Sequence, residues 1–188
     1  MINMVLVDWE IKQYISQKRI GIEPYDEKSV NPASYDLHLS NEFVYYFNNG
    51  QLIDPFDRNS IIYGHEKIKC EIFTIQPGQF ILAATKEHIS LPKDVSATIE
   101  GKSSLARLGL SIHQTGGYID NGFSGDITLE IKNENCRPIR LYSGMPICQI
   151  VFQSTNECDC GYGERKTSKY QNQRGAVVSR YHLTNVSR

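Results

Sequence analysis

GKSSLARLGL (101–110) places two cations, Lys102 and Arg107, and two hydroxyls, Ser103 and Ser104, within six residues. Such a set suits phosphate or a developing negative charge. Gly101-Lys102-Ser103 matches the end of a P-loop, a glycine-rich turn between a strand and a helix. The match stops there, because the position of the first required glycine is Ser96 and Ala97-Thr98-Ile99-Glu100 reads as strand. Strand backbone does not wrap its N–H groups round a phosphate. The segment is a phosphate-binding candidate of another kind. Downstream, HQTGGYIDNGFSGD (113–126) holds four glycines and two acids. Gly116-Gly117 lets backbone approach a ligand closely, and Asp120 is placed to accept a sugar hydroxyl. DITLEIKN (126–133) then alternates Ile127, Leu129 and Ile131 with Thr128, Glu130 and Lys132, the period of a half-buried strand. Glu130 lies on its polar face, either as a solvated side chain or as a carboxylate base. By composition alone, the loop before it is equally a glycine-rich hairpin.

The elements that must position these groups are mostly strands. Asp8 reads as the cap of a short helix carrying Ile11, Tyr14 and Ile15 at helical spacing, with Lys18 and Arg19 near its end. SYDLHL (34–39), EFVYYF (42–47), KIKCEIFTIQ (67–76), FILAAT (80–85), VSATIE (95–100), DITLEIKN (126–133) and PICQIVF (146–152) read as short strands between turn signals such as Asn48-Asn49-Gly50 and Gln76-Pro77-Gly78. Many short strands at this spacing predict a mainly β fold, a barrel or jelly roll. From about residue 160 the chain turns polar and reads as a C-terminal arm.

A chain of 188 residues with net charge −1 suits one domain spanning 1–188, the arm included. Near-neutral charge argues against a general nucleic-acid binder. Arg165, Lys166, Lys169, Arg174 and Arg180 face only Glu164 in the stretch 164–180. That run is either solvated surface or a cover for an anionic ligand. Five cysteines at irregular spacing, with Cys158-Asp-Cys160 unlike a zinc pair, read as reduced thiols. The apolar start is too short for a signal peptide and no stretch approaches a membrane span, so a cytoplasmic location is expected.

EGKSSLARLGL, TGGYIDNGFSGDITLE and KYQNQRGAVVSR, with NPASYDLHL, SLPKDVSATIEGKSS and PICQIVF, resemble the dCTP deaminase branch of the trimeric dUTPase-like superfamily. The matching blocks run in order from about residue 8 to 182. The resemblance implies a distorted jelly roll, a homotrimer with active sites between subunits, and an arm that closes over the nucleotide. It implies dCTP as substrate, dTTP as a feedback inhibitor, and no membrane or nucleic-acid partner. It places Lys102, Ser103, Ser104, Leu105, Ala106 and Arg107 around phosphates and catalytic water, Asp120 at the deoxyribose 3′-OH, and Thr128, Leu129 and Glu130 at the base. Gln149, Tyr162, Lys169 and Gln173 complete the implied site. Magnesium is expected through substrate phosphates and waters, since it needs no dedicated protein cage.

Zinc-dependent nucleobase deaminases carry H-x-E and P-C-x-x-C. None of His38, His65, His88, His113 and His182 is followed by x-Glu, and no C-x-x-C occurs. A zinc-free mechanism is expected, with Glu130 as the base that activates water, the role implied by the resemblance. Such a carboxylate works best where a closed, dry pocket lifts its pKa. Ser103 would hold the water or the tetrahedral centre, Arg107 would orient the group, and backbone at Thr115-Gly116 would bind the water. Relatives carry Ala where Gly116 stands, so a looser loop is expected here. TGGYIDNGFSG also resembles the loop of bifunctional members, which release dUMP and pyrophosphate; there Asp120 and Gly117 would place a second water at the α-phosphate. A monofunctional enzyme releasing dUTP and a non-catalytic nucleotide sensor are the alternatives.

Overall fold

The computed structural model describes residues 4–184. Positions 1–3 and 185–188 of the expected domain and arm lie outside the described residues. In chain order the elements are β1 (Met4–Val5), α1 (Asp8–Ser16), β2 (Gly21–Glu23), β3 (Val30–Asn31), β4 (Ser34–Tyr46), α2 (Arg58–Ile62), β5 (His65–Lys69) and β6 (Ile72–Ile75). There follow β7 (Phe80–Ser90), β8 (Val95–Gly101), α3 (Ser103–Ala106), β9 (Leu110–Ser111), β10 (Tyr118–Ile119), β11 (Ser124–Asn133), β12 (Ile139–Tyr142) and β13 (Pro146–Ser154). The arm holds single turns at Tyr162–Glu164 and Tyr181–Leu183.

The mainly β expectation holds, with two differences in how the strands divide. SYDLHL and EFVYYF are one strand, β4, rather than two. Its first half pairs with β13 and its second half with β5 and β7, and the register shifts between Leu39 and Phe43. A bulge bends a strand without ending it, so the polar Ser40-Asn41 break marks a corner. KIKCEIFTIQ instead divides at Cys70-Glu71 into β5 on the main sheet and β6 in a separate ribbon with β12. The main sheet runs β10-β8-β13-β4-β7-β11-β9, and β4 carries the chain from one half to the other.

The core forms where these halves face each other. Tyr35, Leu37, Leu39 and Phe43 of β4 meet Ile81, Ile131, Ile150 and Phe152, all fully buried. Each such side chain contributes about 1.5–3 kcal/mol by leaving water. Helix α1 covers one edge through buried Ile11. Its N-cap is Val7, whose N–H donates to Glu10 Oε2 at 2.9 Å. Asp8, expected as the cap, is the first helical residue, and its carboxylate accepts from the Trp9 N–H. A negative charge there still faces the positive end of the helix. Among the described residues no helix is long and apolar enough to cross a membrane.

Candidate active site

Strand β11 carries the first part of the site. Its residues alternate between core and half-exposed, so Thr128 and Glu130 leave the core together on one face. Leu129 does not join them. It was expected at the base, but its side chain is 1% exposed among the core residues, because a period of two turns every second residue inward. Thr128 and Glu130 form one wall of a cavity of about 520 Å³. Gly116 and Asp120 line it from the glycine-rich loop, and Tyr162 and Gln173 from the arm.

The loop and the carboxylate hold each other. Glu130 Oε2 accepts from the backbone N–H groups of Gln114 at 3.1 Å and Thr115 at 3.3 Å. Gly116 lies against the other oxygen: a Cβ built there would lie 2.8 Å from Glu130 Oε1, the end of a flexible side chain. The glycine leaves room for the carboxylate beside the loop. Gly117 lies against the His113 ring, and its carbonyl accepts from Ile99 N–H at 2.8 Å, which ties the loop to β8.

Tyr46, Phe80, Tyr162 and Tyr170 give the cavity an aromatic lining, which suits a flat base. Burial pushes the Tyr46 phenol pKa up, so it stays neutral. Tyr162 packs edge-on against Phe123 and its hydroxyl accepts from the Tyr170 N–H. Gln173 is 9% exposed; its Nε2 donates to the Asp126 carbonyl at 2.7 Å, while its Oε1 has no hydrogen-bond partner. A buried acceptor of this kind calls for a donor.

The second group of expected residues is elsewhere in the chain. Lys102 Nζ meets Asp36 Oδ2 at 2.6 Å, and Asn31 Nδ2 donates to Asp36 Oδ1 at 2.8 Å. The Ser34 hydroxyl donates to Gln149 Oε1 at 2.9 Å. The register Asp36↔Gln149↔Glu100 sets these on neighbouring strands β4, β13 and β8. Ser103, Ser104, Ala106 and Arg107 are exposed on the turn after β8, and Leu105 packs on the core. None of Lys102, Ser103, Ser104, Leu105, Ala106, Arg107 and Gln149 lines the Glu130 cavity. Ala106 lines a smaller hollow of about 310 Å³ with His113 and Glu134. Lys169 also points away, with Nζ 2.5 Å from Thr184 Oγ1 and over the Tyr181 ring.

The sequence reading missed Tyr46, Phe80 and Tyr170 in the cavity and the Asn31–Ser34–Asp36 support. In NPASYDLHL the even-spaced Ser34, Asp36 and His38 were the available signal, polar residues alternating with buried Tyr35, Leu37 and Leu39.

Comparison with known proteins bears on what these two groups do. A family model described as dCTP deaminase-like matches residues 5–155. A "dCTP deaminase, dUMP-forming" of Methanospirillum hungatei is 49% identical over 179 residues, covering 95% of this chain and 97% of the relative. The protein of the same description from Methanoregula boonei is also 49% identical, covering 95% and 98%. The crystal structure of 2′-deoxycytidine 5′-triphosphate deaminase from Agrobacterium tumefaciens aligns with a TM-score of 0.64 at 24% identity, over 82% of this chain and 47% of that one, a likeness of fold. Identity near one half over 95% of the chain places this chain in the family of dUMP-forming dCTP deaminases.

Proposed function

We propose that this protein deaminates dCTP at cytosine C4 and cleaves the triphosphate, releasing ammonia, dUMP and pyrophosphate. The observation that carries the proposal is Glu130, held by two backbone N–H groups on the wall of an aromatic cavity. A fixed carboxylate beside a flat pocket is what activation of water over a pyrimidine ring needs. Glu130 takes a proton from water as the water oxygen bonds to C4. It gives that proton to N3, then takes the second proton from the new C4 hydroxyl and passes it to the amine, which leaves as ammonia as the C4–N bond breaks and C4=O forms. The orphan Gln173 Oε1 accepts from the 4-amino group, and Asp120 meets the 3′-hydroxyl. The Thr115 N–H is already engaged by Glu130, so the water meets the carbonyl side of the Thr115-Gly116 backbone.

Ser103 and Arg107 act from a neighbouring protomer of a homotrimer. Their exposure, and their place outside the cavity of their own chain, support that arrangement. There they donate to the charge that develops at C4, while Lys102 and Gln149 meet phosphates and base. Donors aimed at such charge lower a barrier by about 3 kcal/mol each. Magnesium belongs to the substrate, ligated by phosphate oxygens and water. A second water, placed by Asp120 and the Gly117 loop, attacks the α-phosphorus and displaces pyrophosphate. dTTP, sharing the triphosphate and sugar, competes for the same site.

Product analysis tests this reading. Purified protein with dCTP and magnesium should yield ammonia, dUMP and pyrophosphate in equal amounts. Accumulating dUTP would remove the cleavage step, and absence of ammonia would remove the deaminase.

A further inference from the structure

One cluster lies behind the cavity wall and takes no part in the chemistry just described. Asp126, in β11, lines no part of the cavity, yet it meets three consecutive arm residues. Its N–H donates to the Gln173 carbonyl at 3.0 Å, and its carbonyl accepts from Gln173 Nε2 at 2.7 Å. Its Oδ2 accepts from the Gly175 N–H at 2.8 Å, and its Oδ1 lies 3.3 Å from Arg174 Nη1. His88 stands behind it, with Nδ1 at 3.0 Å from Asp126 Oδ1 and Nε2 at 3.0 Å from Ser124 Oγ. A ring nitrogen facing a carboxylate donates, so Nδ1 donates to Asp126, while the Ser124 hydroxyl beside Nε2 also meets Ser90 Oγ at 3.0 Å.

We propose that Asp126, braced by His88, is the anchor that docks the arm and sets Gln173 in the cavity. The contacts have a direction. His88 fixes the Asp126 carboxylate, the carboxylate fixes Gly175 and Arg174, and the Asp126 backbone fixes both ends of the Gln173 group. With Nε2 held on the Asp126 carbonyl, Gln173 is left with Oε1 as its free acceptor. The surroundings leave little alternative seating. A Cβ at Gly125 would lie 3.1 Å from Gln173 Cγ, and one at Gly175, where φ is +64°, would lie 1.9 Å from Glu42 Oε2. Of the anchor's contacts, the exposed Arg174 pair is the weakest; the half-buried His88–Asp126 pair carries the brace. Asp126 and His88 are therefore positioning residues, and their role in turnover rests on the proposed reaction.

The test compares Asp126→Ala, His88→Ala and His88→Asn with wild type in the full chain. It uses dCTP kinetics together with amide hydrogen exchange of the arm measured without nucleotide. Apparent affinity scales with the fraction of chains whose arm is docked. Asp126→Ala should raise KM about tenfold with kcat nearly kept, and His88→Ala about threefold. Exchange at Gly175 and Val177 should rise in both. His88→Asn, whose amide takes the place of Nδ1 as the donor to Asp126, should recover most of the wild-type KM. Unchanged KM, or a lowered Tm with arm amides still protected, overturns the anchor. If Asp126→Ala does not fold, His88→Ala decides by the same readings. If wild type does not turn over dCTP, the reaction is misassigned, and the exchange comparison alone decides whether the anchor holds the arm.

Discussion

Glu130 combines two properties that a single substitution separates. Its oxygen accepts from Gln114 and Thr115 N–H groups, and in the proposed reaction its charge takes a proton from water. Glutamine at this position keeps an acceptor and loses the base. Glu130→Gln should therefore lower kcat by about 10³-fold while dCTP binding, read by calorimetry, stays within about threefold. A parallel loss of binding would make Glu130 a ligand contact instead. Gly116 tests position rather than charge. The Cβ of Gly116→Ala would press on the end of a flexible side chain, so the carboxylate moves and the loop stays. The expected result is a fall in kcat of about tenfold, a modest case of misplaced catalytic geometry, with stability changed by less than about 0.5 kcal/mol. A large drop in Tm with normal kcat would show that the loop gives way instead.

At the scale of elements, β4 links the fold to the arm. Glu42, just past its bend, pairs with Lys67 at 2.7 Å and Lys69 at 2.9 Å on β5. Hydrogen bonds first from Lys67 and then from Lys69 hold its carboxyl below the ordinary 4.5. A depressed carboxyl contributes stability above its unfolded value, and that contribution fades as pH falls through the folded one. Glu42→Gln should thus lower Tm near neutrality and flatten the loss of stability below about pH 4.5, as thermal melts across that range would show. An unchanged acid limb would mean that the pair contributes nothing. Alternation along DITLEIKN and the glycines of 113–126 made the Glu130 wall legible in the sequence, because both signals are local. The same alternation predicts the inward turn of Leu129, which a resemblance carried across as a run of three obscures. Ser34 with Gln149, and His88 with Asp126, join residues 115 and 38 positions apart. No local period reports such pairs; only the path of the strands brings them together. The bend in β4 was hidden for a related reason, since a polar pair reads as a turn until the partner strands show that pairing continues on both sides.

The whole molecule poses the problem of a divided site. One chain presents Glu130, Thr128, Asp120 and Gln173 around a cavity, and presents Ser103 and Arg107 on an exposed turn outside it. If each site takes Glu130 from one protomer and Ser103 from the next, two inactive variants can repair each other. Glu130→Gln chains still supply Ser103, and Ser103→Ala chains still supply Glu130. Unfolding and reassembling an equal mixture gives each site an even chance of an intact residue from either side. About one quarter of the wild-type kcat should return, because a head-to-tail ring draws the two halves of a site from independent neighbours. Each variant refolded alone should stay at its own low rate. A mixture no more active than the mean of its components would place Ser103 and Glu130 of one chain in the same site. That result would require the turn after β8 to move into the cavity of its own subunit, and it would remove the case for a site shared between protomers.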